Sequence, residues 1–150
     1  MKLEIQEISD VQMEGVRVAL PGTEGVLRKN HFEWISFALE TKETTDRIIS
    51  GLLEGWHHEV KFTEVEYHIN PENFYFYEGT CLMLFADKTE EDEIIEGSLK
   101  LVRIHPGTQV EVAAGKCHYV PIPETDTFKA FVFTPIHESL MIDLPEEVTG

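Results

Sequence analysis

Apolar residues in this 150-residue chain alternate with polar ones, or gather in short aromatic and β-branched runs, over most of its length. Alternation with a period of two marks half-buried strands, because successive side chains of an extended chain point to opposite faces. The segments MKLEIQEI, GVRVAL, HFEWISFALET, EVKFTEVEYHI, FYFYEG, TCLMLFAD, SLKLVRIH, TQVEVAAG, CHYVPIP, FKAFVFTP and SLMIDLP all read this way, with Gly or Pro at nearly every junction. One segment reads differently. ETTDRIISGLLEGW sets Ile48, Ile49, Leu52 and Leu53 at helical spacing behind Thr44 or Thr45 as a cap, which predicts a helix kept short by Gly51 and Gly55. The acidic run KTEEDEIIEG predicts an exposed loop. Roughly ten short strands at regular spacing, with no repeat and no linker, predict one all-β domain over residues 1–150. A closed or double-sheet barrel is the expected form, since it also removes exposed sheet edges.

Charge narrows the partners. Asp and Glu number 28 against 12 Lys and Arg, for a formal net charge of −16. Such a field repels phosphate backbones and anionic lipid over a Debye length, so nucleic acid and membrane are excluded as expected partners and a small molecule is favoured. A site for an anion needs local positive charge, from a metal ion or a placed Arg or Lys. Two cysteines, Cys81 and Cys117, are too few for a disulfide scaffold and predict free thiols in a reducing, cytoplasmic compartment. MKLEIQEISD has no long apolar run behind its lysine, as a secretion signal would, and no stretch approaches the ~18 apolar residues that cross a bilayer.

The chemistry gathers in two places. In GTQVEVAAGKCHYVP, Gly107, Ala113, Gly115 and His118 follow a spacing that resembles the second conserved motif of the cupin superfamily, a glycine, then a proline-x-glycine turn, then a histidine ligand. Ala113 stands where that family usually has Pro, and Ile122 where it usually has Asn. The turn itself needs a residue tolerant of positive φ, which Gly115 supplies. Upstream, EVEYHINPENFYFYEG resembles the first cupin motif. Glu66 and His68 occupy its His-x-His positions, with Glu66 replacing the first histidine, Glu72 comes after three intervening residues, and Gly79 after six more. Positions 66 and 68 share one face of a strand while Tyr67 faces away, and Asn70-Pro71 bends the chain so that Glu72 returns toward the same pocket. The resemblance thus implies an all-β, cupin-type double-stranded β-helix (jelly-roll barrel) with one short helix. It also implies a metal site of Glu66, His68, Glu72 and His118. Two imidazoles and two carboxylates suit one divalent transition metal, Mn, Fe, Ni or Zn, more than Mg or Ca. The metal-free alternative leaves Glu66 and Glu72 facing water or paired with Arg103.

Within the superfamily, a Glu-x-His segment ending its strand pair at a glycine, an opening strand like MKLEIQEIS, and a histidine followed closely by proline (His118, Pro121) make the chain similar to the ureidoglycolate lyases, formerly called hydrolases. It departs from them at Ala113, where they usually have another histidine, and at Glu72, where glutamine is usual. That resemblance implies a homodimeric lyase cleaving ureidoglycolate to glyoxylate and urea, with the metal acidifying the substrate hydroxyl and a further group taking its proton. His105 and Tyr119 are the candidates for that group. The rival readings are a metal-free cupin that binds a small metabolite, and a cupin isomerase or dioxygenase, since one fold hosts many chemistries. Trp56-His57-His58, the run Phe74 to Tyr77, Cys117 beside His118, and the isolated His31 and His137 are read as structural.

Overall fold

The computed structural model describes residues 1–20, 27–29, 31–34, 47–135 and 138–150. In chain order the strands are β1 (Ile5–Glu7), β2 (Val16–Ala19), β3 (Leu27–Lys29), β4 (Phe32–Trp34), β5 (Ile48–Trp56), β6 (Lys61–Tyr67), β7 (Glu72–Glu78), β8 (Cys81–Ala86), β9 (Lys100–Ile104), β10 (Gln109–Val112), β11 (Cys117–His118), β12 (Ile122–Pro123), β13 (Thr127–Pro135) and β14 (Leu140–Thr149). The only helical piece among the described residues is a 3-10 turn at Ile8–Asp10.

A seven-stranded sheet runs β1-β9-β8-β11-β6-β14, with β12 also on β8, and a five-stranded sheet runs β2-β10-β7-β13-β5. β3 and β4 pair separately. The two edges of the larger sheet meet: Lys2 bridges Thr149, and the Leu3 N–H donates to the Thr149 carbonyl at 2.9 Å. The curled sheets form a half-barrel, an arrangement compatible with a jelly roll.

This curl gives the molecule two cores, and β8 belongs to both. Cys81, Met83 and Phe85 face Phe74, Phe76, Phe128 and Ala130 of the smaller sheet. Leu82, Leu84 and Ala86 face Phe62, Val65, Ile142 and Val148 inside the curl. All six residues of β8 are buried, which is why TCLMLFAD is a continuous apolar run and not an alternating one.

The helix expected over Ile48, Ile49, Leu52 and Leu53 is instead β5, antiparallel to β13 from Trp56↔Thr127 to Ile48↔Pro135. Thr44 and Thr45 lie outside the described residues, as do residues 35–41 of the strand expected in HFEWISFALET. The apolar pairs 48/49 and 52/53 serve opposite faces of a strand: Leu53 packs on the core while Leu52 is 74% exposed. Gly51 and Gly55, poor helix formers, suit the strand. A Cβ on Gly55 would come within 2.3 Å of the Phe128 ring. In the acidic run, Glu90–Glu93 are exposed as expected, but Ile94 packs against the second core. No helix among the described residues is long and apolar enough to cross a membrane.

Candidate metal centre

The chain passes twice between the two sheets at one end of the molecule, and both passages carry the motifs. β6 of the larger sheet ends at Tyr67, and β7 of the smaller sheet opens at Glu72, so residues 68–71 make the first corner. β10 and β11 are joined by the second, in which the Lys116 N–H donates to the Ala113 carbonyl at 3.1 Å and Gly115 takes φ +81°. A positive φ at the third position of a four-residue turn requires glycine or its near equivalents. The Gly115 N–H donates to the His68 carbonyl at 2.8 Å, tying the corners together.

Strand register then places the side chains. His118 lies directly opposite Glu66 across β11 and β6, and side chains directly opposite share a face of the sheet. Glu66, His68 and His118 each bring a donor atom within 4.8 Å of the others, and this group can hold a metal ion. His68 and His118 are buried and Glu66 is partly buried. Glu72, also buried, stands between the histidines. Its Oε2 is 3.0 Å from His118 Nε2 and 3.3 Å from His68 Nε2, while Glu66 Oε2 is 4.0 Å from His68 Nε2.

The other ring nitrogens fix the chemistry. His118 Nδ1 lies 3.1 Å from the Lys116 carbonyl and His68 Nδ1 lies 3.0 Å from the Glu138 carbonyl. A carbonyl only accepts, so Nδ1 of each ring carries the proton. In neutral rings both Nε2 atoms therefore present lone pairs, and both aim at one carboxylate oxygen. That convergence is favourable only with a cation between the groups, either a proton on a ring or a metal ion. Backbone carbonyls that hold the distal nitrogen are also what orients metal-ligating histidines.

Protonation follows from the same contacts. Burial works to raise the Glu72 carboxyl, but the hydrogen bonds to His118 and His68 outweigh it and hold the group well below the ordinary carboxylate range. Burial works against a charge on His68, yet the Glu72 hydrogen bond and charge raise its value. In metal-free protein the signs are set. Glu72 contributes stability above its ordinary 4.5 and loses it as acid titrates the lowered value; His68 contributes fully below its ordinary 6.5 and loses it as pH rises through the raised value. The excess thermal stability of chelator-treated wild type over Glu72→Gln is therefore expected to peak between about pH 4.5 and 6.5. An excess unchanged up to pH 9 would refute the pairing.

A cavity of about 190 Å³ opens on this group, lined by Glu66, Glu72 and His118 with apolar side chains from both sheets. A larger groove of about 440 Å³ along the N-terminal segment is lined by Ile8, Val11, Met13 and their neighbours, none of them titratable.

The structure does not bring the two expected proton acceptors together with the metal group in the same way. Tyr119 is among the residues lining the cavity, but its ring packs edge-on to Phe62 and its hydroxyl donates to Glu64 at 2.7 Å. That hydrogen bond, with burial, pushes the phenol up to about 12. His105 lies apart and is half exposed. Its Nε2 is 2.8 Å from Glu7 Oε2 and its Nδ1 is 3.4 Å from Thr80 Oγ1. Arg103 does not reach Glu66 or Glu72, since it bonds Glu7 at 2.8 Å and Glu124 at 2.8 Å. Burial pushes the Cys117 thiol up to about 11, which keeps it protonated and unreactive at neutral pH. Phe74 and Phe76 are core residues and Tyr75 is exposed, as alternation requires. Tyr67 turns away from the site and donates to Asp92 at 3.0 Å, His31 is exposed, and His137 lies outside the described residues.

Sequence reasoning missed the carbonyls of Lys116 and Glu138, and the cavity walls contributed by Leu53 and Val132. Backbone acceptors carry no residue-type signal, whereas Leu53 and Val132 were legible only as generic core positions. No protein-family model and no curated protein matches this sequence.

Proposed function

We propose that the protein is a divalent-metal enzyme of the cupin jelly-roll type. Glu66, His68 and His118, with Glu72 as fourth donor, hold one Mn, Fe, Ni or Zn ion beside a small substrate cavity. The observation that carries this is the convergence of two Nε2 lone pairs on the Glu72 carboxylate while backbone carbonyls hold both Nδ1 atoms. A bound ion would supply a Lewis acid that polarises a hydroxyl or carbonyl oxygen. The protein's own contribution is to fix the ring tautomers, to balance the ion's charge with two carboxylates, and to exclude bulk water with apolar walls.

The narrower form of this reading is a carbon–nitrogen lyase like the ureidoglycolate lyases, acting as a cytoplasmic homodimer. It is supported by the spacing of Glu66, His68, Glu72, Gly79 and His118; the buried free thiols of Cys81 and Cys117 fit a reducing compartment. Elemental analysis of untagged protein purified without chelator is expected to find about one metal per chain. Glyoxylate release from ureidoglycolate then decides the activity. Metal without glyoxylate removes the lyase and leaves the metal enzyme, with sugar isomerisation and dioxygen consumption as the next assays. A second reading, a metal-free metabolite-binding cupin, is favoured by one observation: every buried side-chain nitrogen and oxygen among the described residues already has a partner. Absence of metal after reconstitution would select it.

A further inference from the structure

We infer that the cavity beside Glu66, Glu72 and His118 selects a small uncharged ligand with a hydrocarbon body and a metal-binding oxygen head, and discriminates against anions. This inference rests on the metal reading above and narrows it to a ligand class. Three observations carry it. The first is size: about 190 Å³ falls below the ~300–1,000 Å³ usual for drug-sized ligands. The second is the wall. Leu53, Phe74, Met83, Val120, Pro121 and Val132 line the cavity from several strands and the segment after β11. A ligand body in contact with them exchanges water for hydrocarbon, which favours apolar groups and penalises an unpaired charge.

The third is charge balance. Glu66 and Glu72 together offset the two positive charges of a divalent ion, so a ligand carboxylate would make the centre net negative inside a largely apolar cavity. No Lys or Arg lines the cavity among the described residues. Nearby cations serve other acids: Lys116 pairs with Asp87 at 2.5 Å and Arg17 with Glu111 at 2.6 Å. The net charge of −16 adds repulsion at longer range. Ureidoglycolate is itself an anion, so this ligand class counts against the narrower lyase reading and for a metal enzyme acting on a neutral substrate.

Hydroxyacetone and glycolate test the inference, because they have equal numbers of non-hydrogen atoms and each offers a metal a hydroxyl and one further oxygen, a neutral ketone oxygen in the first and an anionic carboxylate oxygen in the second. Equilibrium dialysis first establishes Co²⁺ stoichiometry, and the visible absorption of the Co²⁺-loaded protein is then titrated with each probe. Hydroxyacetone is expected to bind about tenfold or more tightly than glycolate. Val120→Lys, at a position 44% exposed where folding is little affected, places a cation on the cavity wall and is expected to shift the glycolate-to-hydroxyacetone affinity ratio about tenfold toward glycolate. Glycolate binding as tightly as hydroxyacetone in the wild type, or no spectral response to either probe, overturns the ligand class while leaving the metal site standing. Failure to bind Co²⁺ overturns the metal reading, and the ligand class with it.

Discussion

Replacing His118 by alanine is expected to abolish stoichiometric metal binding and to remove the thermal stabilisation that metal confers on the wild type. A ligand that binds the folded state alone adds RT ln(1 + [M]/Kd) to stability, about 2.7 kcal/mol at a hundredfold excess over Kd. For a chain of this length each kcal/mol moves the midpoint by about 2–4 °C, so saturating Mn²⁺ or Zn²⁺ should raise the wild-type midpoint by roughly 5–10 °C. His118→Ala also deprives buried Glu72 of its 3.0 Å partner, which costs the metal-free protein about 1–3 kcal/mol of its own. Glu66→Gln separates the two effects. Glu66 touches His68 only at 4.0 Å, so its loss should leave the metal-free midpoint nearly unchanged and still erase most of the metal-dependent shift. Scanning calorimetry with and without metal on the three proteins checks this. A shift of wild-type size in either variant would show that the ion binds elsewhere.

The site was more legible in the sequence than the fold around it, and the reason is the kind of information each needs. Glu66, His68 and His118 announce themselves by residue type and by a spacing that strand periodicity converts into a shared face. Gly115 announces a turn that only a positive φ satisfies, and it takes φ +81°. These are local signals, read within a few residues. What the sequence left hidden is non-local. The carbonyl that orients His68 comes from Glu138, seventy residues away. The carboxylate that His105 meets at 2.8 Å belongs to Glu7, 98 residues away.

β5 shows the other limit. Four apolar residues at positions 48, 49, 52 and 53 fit a helical stripe and equally fit two faces of a strand, and local pattern cannot choose. The nine-residue pairing with β13 decides it, with Gly55 admitting the Phe128 ring where a side chain would not fit. The second core is a similar case. Alternation predicts one buried face, whereas the curl of the larger sheet buries both faces of β8. That curl is closed by Lys2 and Thr149 from opposite ends of the chain.

Gly79→Ala is expected to destabilise the protein more than any other single-methyl addition at its positive-φ glycines with mapped surroundings. Gly79 sits where the chain leaves β7 of the smaller sheet for β8 of the larger one, at φ +75°. An added Cβ would lie 2.0 Å from the Thr127 carbonyl oxygen and 2.9 Å from the Phe128 Cα. Both are backbone atoms of a strand pinned on two sides by β5 and β7, so neither can swing aside as a flexible side chain would. The corner is also bonded to the same segment: the Thr80 N–H donates to Thr125 Oγ1 at 3.2 Å and the Glu124 N–H to the Thr80 carbonyl at 2.8 Å. The left-handed conformation costs a non-glycine residue about 1–2 kcal/mol, and forced overpacking adds about 1–3 kcal/mol. The sum of roughly 2–5 kcal/mol corresponds to a midpoint lowered by roughly 4–20 °C. Gly97→Ala isolates the steric part, because Gly97 has a similar φ of +80° with nothing within 4 Å of the added carbon. It should cost only the conformational share, about 1–2 kcal/mol. Equal losses in the two variants would mean that the contact with Thr127 is not formed as described and that β7 and β8 meet β13 differently. A Gly79 loss well beyond that of Gly97, accompanied by weaker metal binding, would show that the same corner holds β7, and with it Glu72, in place.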